Sequence, residues 1–229
     1  RESKIFHALG VSFARTILGT AITVVCTSFM AYLFVQPKLP FRRFFNRLVI
    51  ITMYFSSGLI PWYLTMYYYG FKNSFLLYVI PSAVNAYFMI LIKAYLESLP
   101  ASLQEAAEID GAGIFTVFTK IILPLCKPIL ATITLFSAVN QWNTWSDNFY
   151  LVKDANLKTL QLTLYEYFQS NAPSIENMRD LASIMSQRTV TTTSIRMCIA
   201  VITIVPIFIV YPFVQKYFQK GIMIGAVKG

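Results

Sequence analysis

The sequence predicts an all-α membrane protein, a polytopic helical bundle, and three observations carry that expectation. Apolar residues make up 56% of the 229-residue chain and charged residues only 13%, far from the balance of a soluble domain of this size. A hydrocarbon core about 30 Å thick is crossed by about 20 helical residues, and five uncharged apolar stretches of that length are present, at 16–35, 48–69, 73–92, 128–146 and 197–215. These stretches are uniformly apolar and over-length for barrel strands, so helices are the fitting assignment. The alternative, buried helices of a large soluble protein, would have to account for all five.

Each stretch has its own boundaries. The first and the last are bounded by charge. The second closes on Tyr67, Tyr68 and Tyr69 ahead of Gly70, and with Trp62, and with Tyr217 and Phe218 after the fifth, these aromatics match an interfacial belt. Prolines at 61, 81 and 206 free backbone carbonyls and are expected to kink the spans that hold them. Cys26, Cys126 and Cys198 lie in or beside apolar runs without metal-ligand spacing and read as small packing residues; His7 reads as a surface residue.

The net charge of +9 is spread through the connections and forms no nucleic-acid patch. Residues 36–47 carry Lys38, Arg42, Arg43 and Arg47 with no acid, whereas the next connection holds only Lys72, so the first connection is expected to be cytoplasmic. That choice puts the amino end outside, 97–127 inside, the loop 150–196 outside and the tail inside. Five spans leave the termini on opposite sides and the chain begins at Arg1, so a further span is expected to be missing at the amino end. No signal peptide and no internal repeat stand out.

Between the third and fourth stretches lies SLPASLQEAAEIDGAGIFTVFTKIILPLCKPIL, too polar to span and too patterned to be a linker. Ser102 with Glu105 three positions on has the form of a capping box, and Gly111, with Gly113 close behind, is placed to end that helix. A second helix follows, with Ile114, Val117, Phe118, Ile121 and Ile122 as an apolar stripe and Pro124 marking an interruption. An amphipathic helix pair projecting between spans offers a knob for another protein to grip.

Glu105, Ala106, Ala107, Gly111, Ile121, Leu123 and Pro124 reproduce the pattern EAA-x3-G-x9-I-x-LP, and with them the chain resembles the permeases of binding-protein-dependent ABC importers. Asp110 and Ala112, giving EIDGAG, and the ending GIMIGAVKG are similar to the carbohydrate-uptake branch, the maltose and oligosaccharide permeases. The resemblance covers essentially the whole chain, as a single transmembrane domain 1–229 with the EAA coupling loop at 97–127. It implies the type I importer permease fold with six spans, in the cytoplasmic (inner) membrane of a bacterium. It also implies a second homologous permease, two ATPase subunits and an external solute-binding protein as partners. Glu105, Ala106, Ala107, Asp110, Gly111, Ile121, Leu123 and Pro124 would then belong to the element that docks on the ATPase, with the two alanines allowing close approach. The reading of Glu105 and Gly111 as helix-end residues only stays open beside it.

No glycine-rich phosphate loop ending in Gly-Lys-Ser/Thr occurs, so ATP and Mg are expected on the partner ATPase and no cofactor on this chain. No catalytic or metal-ligating set is found; a membrane-embedded enzyme would need acids, histidines or metal ligands inside the spans. A self-sufficient channel or ion-coupled transporter would have no use for the helix pair. For the solute path, polar groups in spans are the candidates: Asn85, followed by Tyr87, and the stretch from Gln141 through Trp142 and Trp145 to Asn148. Amides and indoles suit sugar hydroxyls and C–H faces. The plainer readings are belt tryptophans, asparagines bonding neighbouring helices, and Asp147 in water. Within importers the alternative cargo is an amino acid, peptide or polyamine.

Overall fold

The computed structural model describes residues 2–170 and, beyond them, Met197, Val201, Ile204, Val205, Pro206 and Phe208. Among the described residues the regular structure is helical: α1 (Glu2–Val35), α2 (Arg42–Tyr54), α3 (Leu59–Tyr68), a 3-10 turn (Phe75–Tyr78) and α4 (Ala86–Glu97) come first. Then follow α5 (Ser102–Ile109), α6 (Ile114–Leu125), α7 (Lys127–Asn143), α8 (Ser146–Leu151), a 3-10 turn (Ala155–Leu157) and α9 (Leu160–Ser170). The fifth apolar stretch, apart from the isolated positions named, the outer loop beyond Ser170 and the GIMIGAVKG ending lie outside the described residues.

The bundle is organised around α1. Its 34 residues run about 50 Å at about 1.5 Å per residue, and α7 and α4 pack along it. Its inward stripe is polar: Ser12, Arg15, Thr23 and Thr27 are buried, while Phe6, Ile17 and Val25 on other faces are exposed. This reverses the arrangement of a soluble amphipathic helix and is the one a lipid-facing helix adopts. The helix therefore starts far ahead of residue 16, where the sequence places the first span. Arg15, which looks like a flanking charge, is an interior residue of α1, because a carboxylate elsewhere in the fold neutralises it.

Two of the expected continuous spans are broken. Residues 48–69 divide between α2 and α3, bent by 118° across 55–58; Pro61 sits in the first turn of α3, where its missing N–H is not needed, and kinks nothing. Residues 73–92 form the 3-10 turn, an unwound run 79–85 containing Pro81, and the first half of α4. An unwound backbone inside an apolar bundle needs partners for its carbonyls. Thr23 Oγ1 donates to the Ser82 carbonyl at 2.8 Å, Thr27 Oγ1 to that of Ala83 at 3.3 Å, and Gln141 Nε2 to that of Tyr78 at 3.2 Å. In return Thr27 Oγ1 accepts the Asn85 N–H at 3.2 Å. The polar stripe on α1 is thus the complement of the break.

The fourth stretch is helical as expected, from Lys127 to Asn143, and turns through 84° from α6 at Cys126. Cys126 is buried, Cys26 half-buried, and both are free thiols. Two apolar clusters close the bundle. One gathers Tyr32, Met89, Ile92, Phe118, Cys126 and Ile133 at the α5 end; the other gathers Leu77, Tyr78, Val79, Leu151 and Val152 at the opposite end. His7 is exposed and its Nε2 reaches the Asn156 carbonyl at 2.8 Å.

At the α1–α7 crossing, Gly19 lies against Gln141 so closely that a Cβ there would stand 2.5 Å from Nε2 and 2.7 Å from Cδ. Gln141 has no room to retreat, since its amide is bonded on both sides. Gly19→Val is expected to lower stability by roughly 1–3 kcal/mol, read as a fall in thermal midpoint of the detergent-purified protein. Gly10→Ala, at a position with open space around it, serves as the neutral comparison.

Candidate functional site

The helix pair α5–α6 stands at one end of the bundle. The N-cap of α5 is Ala101 and not Ser102, and no side-chain bond caps the helix, so the expected capping box does not form. Its other end closes as anticipated. Gly111 takes φ +79°, its N–H reaches the Glu108 carbonyl at 3.1 Å, and the Ala112 N–H reaches that of Ala107 at 2.9 Å, the paired bonds of a Schellman turn. A side chain at Gly111 would be strained by the left-handed backbone alone.

In α6 the regular ladder fails before Pro124. The Leu123 N–H reaches back five residues to the Phe118 carbonyl, making a π turn over Phe118–Ile122. Proline cannot donate to the carbonyl four residues earlier, and the wider turn relieves its ring. Val117, Phe118 and Ile122 face inward, and the Tyr32 ring stacks on Phe118 at 5.5 Å. Ile114 is exposed, so the inward stripe is narrower than the sequence pattern indicates.

The seven-position motif divides by direction. Glu105, Ala106 and Gly111 face solvent, with Asp110 beside them, and so do Ile109, at 86% exposure, Ile114 and Phe115. Ala107 is buried, Ile121 and Leu123 are half-buried against the same core, and Pro124 is exposed. Only Ala106 of the two alanines is thus open to close approach from outside; Ala107 is small because α5 rests on it. A second set of contacts ties α5 to the end of α1. Gln104 Nε2 donates to Gln36 Oε1 at 2.6 Å and to Glu108 Oε1 at 3.0 Å, and Lys38 Nζ donates to Glu108 Oε2 at 2.8 Å. These bonds hold the Glu108 carboxyl below the usual carboxylate range, the Lys38 hydrogen bond foremost.

Midway along α1 lies a polar cavity of about 340 Å³, lined among others by Arg15, Trp62, Tyr78, Asn85, Gln141 and Asp147. Arg15 is 3% exposed. Its guanidinium grips Asp147 with both terminal nitrogens, at 2.7 and 3.1 Å, and donates from Nε to Gln141 Oε1 at 3.1 Å and from Nη1 to the Thr144 carbonyl at 3.0 Å. Its carbon sits 4.6 Å from the Tyr78 ring centre. Gln141 Nε2 continues the chain to Ser82 Oγ at 2.7 Å. Asn148, fully buried, donates to the Tyr78 hydroxyl and accepts from the Thr159 N–H and hydroxyl.

Of the path residues read from the sequence, Asn85 and Gln141 line this cavity. Asn85 also caps α4, its Oδ1 accepting from the Phe88 N–H at 3.0 Å. Trp142 is buried on another face of α7, with its ring 5.2 Å from that of Phe13, beside a shallow apolar groove. Trp145 stacks on Tyr165 at 4.0 Å, and Tyr87 is exposed outside the cavity. Asn85 caps α4 while Tyr87 lies on its exposed side, 141 and 142 fall on different faces of α7, and Trp145 stands at the start of α8, so these three aromatics lie outside this cavity. Arg15 and Asp147 enter it. Asp147 is 13% exposed and paired, not in water. A charged residue one position before an apolar stretch, with a lone acid beyond the fourth stretch, is the signal that could have joined them.

This chain is an inner-membrane permease component of a transport system, its described residues forming helices and its long α1 turning a polar stripe inward. It belongs to the family described as binding-protein-dependent transport system inner membrane component, whose model matches residues 23–224. It is 36% identical to a polygalacturonan/rhamnogalacturonan transport system permease protein of Bacillus subtilis (strain 168), over 98% of this chain and 78% of that one. It is 27% identical to a melibiose/raffinose/stachyose import permease protein of the same organism, over 97% and 77%. Among solved structures it is similar to a chain of a bacterial ABC transporter involved in the import of the acidic polysaccharide alginate, with a TM-score of 0.78, 33% identity and coverage of 94% and 78%. As a member of this family the chain is a transporter subunit and not an enzyme.

Two expected outcomes follow from this geometry. Asp147→Asn strands a buried guanidinium and is expected to cost roughly 3–5 kcal/mol, while adding Arg15→Gln restores part of the loss; thermal unfolding of the four members of this cycle measures the coupling. For Glu108, a depressed carboxyl pKa means stabilisation present above the ordinary carboxylate range and lost as pH falls through the depressed value. Protection factors of the α5 amides, corrected for the intrinsic pH dependence of exchange, are expected to fall on acidification, and to be low already at neutral pH in Lys38→Met.

Proposed function

We propose that this chain is the permease subunit of an ATP-driven importer whose cargo is an oligosaccharide bearing uronate groups. The observation that carries the importer mechanism is the pairing of an exposed helix knob at one end of α1 with a polar cavity midway along that helix. Glu105, Ala106, Asp110 and Gly111, with Ile109 and Phe115, form the outward surface of that knob. In this reading the knob faces the cytoplasm and enters a cleft on an ATPase subunit. Two ATPase subunits bind the ATP and Mg, a second homologous permease completes the path, and an external binding protein delivers the cargo.

The Gln36–Gln104 and Lys38–Glu108 contacts transmit displacement of α5 to α1, whose middle carries Arg15 and Thr23 beside the cavity. Nucleotide-driven movement of the knob thereby opens the cavity to one side and then the other. Ile121, Leu123 and Pro124 hold the base of the knob, and Asn85 and Gln141 offer amides to sugar hydroxyls. Support for a uronate-bearing cargo comes from the roles of two relatives, polygalacturonan/rhamnogalacturonan transport and import of the acidic polysaccharide alginate.

The test is uptake into proteoliposomes by the assembled transporter with its binding protein. Labelled galacturonate oligomers are expected to enter only with ATP inside, and Gly111→Asp is expected to abolish uptake while leaving membrane insertion intact. Equal uptake of neutral galactose oligomers would remove the uronate preference. Uptake without an ATPase would remove the importer mechanism, and normal transport by Gly111→Asp would remove the docking role of that turn.

A further inference from the structure

Helix α2 has no buried residue. It touches the bundle along a narrow strip where Arg42 reaches the Phe34 carbonyl at 3.0 Å and Glu97 at 3.3 Å, and Val49 packs against the core. The charges nearest to it are used up: Glu97 also meets Lys93 at 3.6 Å, and Glu108 is taken by Lys38. No acidic residue occurs anywhere between Lys38 and Glu97 in the sequence. Arg43 and Arg47 are exposed and engage no acid or acceptor among the described residues. Four residues apart, they share one face of α2.

Beside that face lies an apolar one. Phe44, Leu48 and Ile51, at spacings of four and three, are all exposed, Phe44 at 60% and Ile51 at 64%. Phe41 stands at the start of the helix with φ +54°, its ring 79% exposed. Two unpaired guanidinia flush against an uncovered apolar strip call for a ligand with an anionic head on an apolar body. A soluble anion would satisfy the cations and leave the strip bare; a neutral lipid would do the reverse.

We propose that Arg43 and Arg47 form a binding site for the phosphate headgroup of an acidic phospholipid, with the Phe44–Leu48–Ile51 strip against its acyl chains. α2 then acts as an interfacial helix at the level of the headgroups, held by both halves of the lipid. Through Arg42 and Glu97 the same helix is tied to the end of α4 that leads into α5, so the lipid braces the base of the helix knob. The site depends on membrane residence alone and is independent of which solute the protein carries.

The experiment is native mass spectrometry of the purified, assembled transporter titrated with phosphatidylglycerol and, separately, with phosphatidylcholine in mild detergent. The wild type is expected to retain phosphatidylglycerol in preference to phosphatidylcholine. At roughly fivefold per arginine, R43Q/R47Q is expected to weaken phosphatidylglycerol binding about 25-fold. R43K/R47K, which keeps both charges, is expected to hold most of it, and so separates loss of charge from loss of fold. Lys153→Gln, an exposed cation at the other end of the bundle, is expected to change nothing. Equal retention of the two lipids, unchanged binding in R43Q/R47Q, or an equal loss in Lys153→Gln would overturn the site. So would displacement of the lipid by free glycerol phosphate, or cross-linking of Arg47→Cys to an ATPase or partner permease, which would assign the surface to a soluble anion or a protein.

Discussion

Everything else in the bundle depends on how the unwound run 79–85 satisfies its backbone. A carbonyl without a partner inside an apolar layer costs several kcal/mol, so a break in a span survives only where side chains are waiting for it. Thr23, Thr27 and Gln141 are those side chains, and they come from α1 and α7. The break therefore fixes the rotation of α1 about its axis and its distance from α7. It also ends where Asn85 caps α4, so the direction in which α4 leaves toward the helix knob is set by the same residues.

The buried charge pair is a second-order consequence. Once Gln141 is committed to the Tyr78 carbonyl and to Ser82, its Oε1 is left as an acceptor, and Arg15 fills it while reaching Asp147. Hydrogen bonds from charged donors shorten and strengthen in such surroundings, and each member of the chain orients the next. The result is a rigid polar knot joining α1, the broken span, α7 and α8 around one cavity. The apolar cluster around Tyr32 and Phe118 does the corresponding work at the other end through packing alone.

The helical membrane class and the family were legible in the sequence because they rest on composition, run length and a spaced motif, none of which requires knowing what touches what. Gly111 was legible for the same kind of reason: a helix end in the left-handed region is a local event. The breaks at 55–58 and 79–85 were not, since uniform apolarity carries no period and leaves a helix and an unwound run looking alike. Arg15 was invisible because its partner lies 132 positions away. Trp142 and Trp145 lie apart from the Gln141 cavity for a related reason, as neighbours in sequence point to different faces once α7 ends and α8 begins. Ala107 shows the limit of motif reading: its side of the helix, and so its role as a packing residue, is decided by the core beneath it.

The close fit of Gly19 against Gln141 has a mechanical consequence. Two rods packed side by side and pinned most closely at one tight point resist sliding there, and a tilt between them would take that point as its fulcrum. Gln36 stands 17 residues from Gly19 and Arg15 only four, arms of about 26 Å and about 6 Å at the rise of an α-helix. A swing applied at the long arm arrives at the short one reduced about fourfold and reversed in direction. An excursion of the helix knob would thus be geared down to a fine adjustment at the cavity wall, which is the scale on which hydrogen bonds are made and broken.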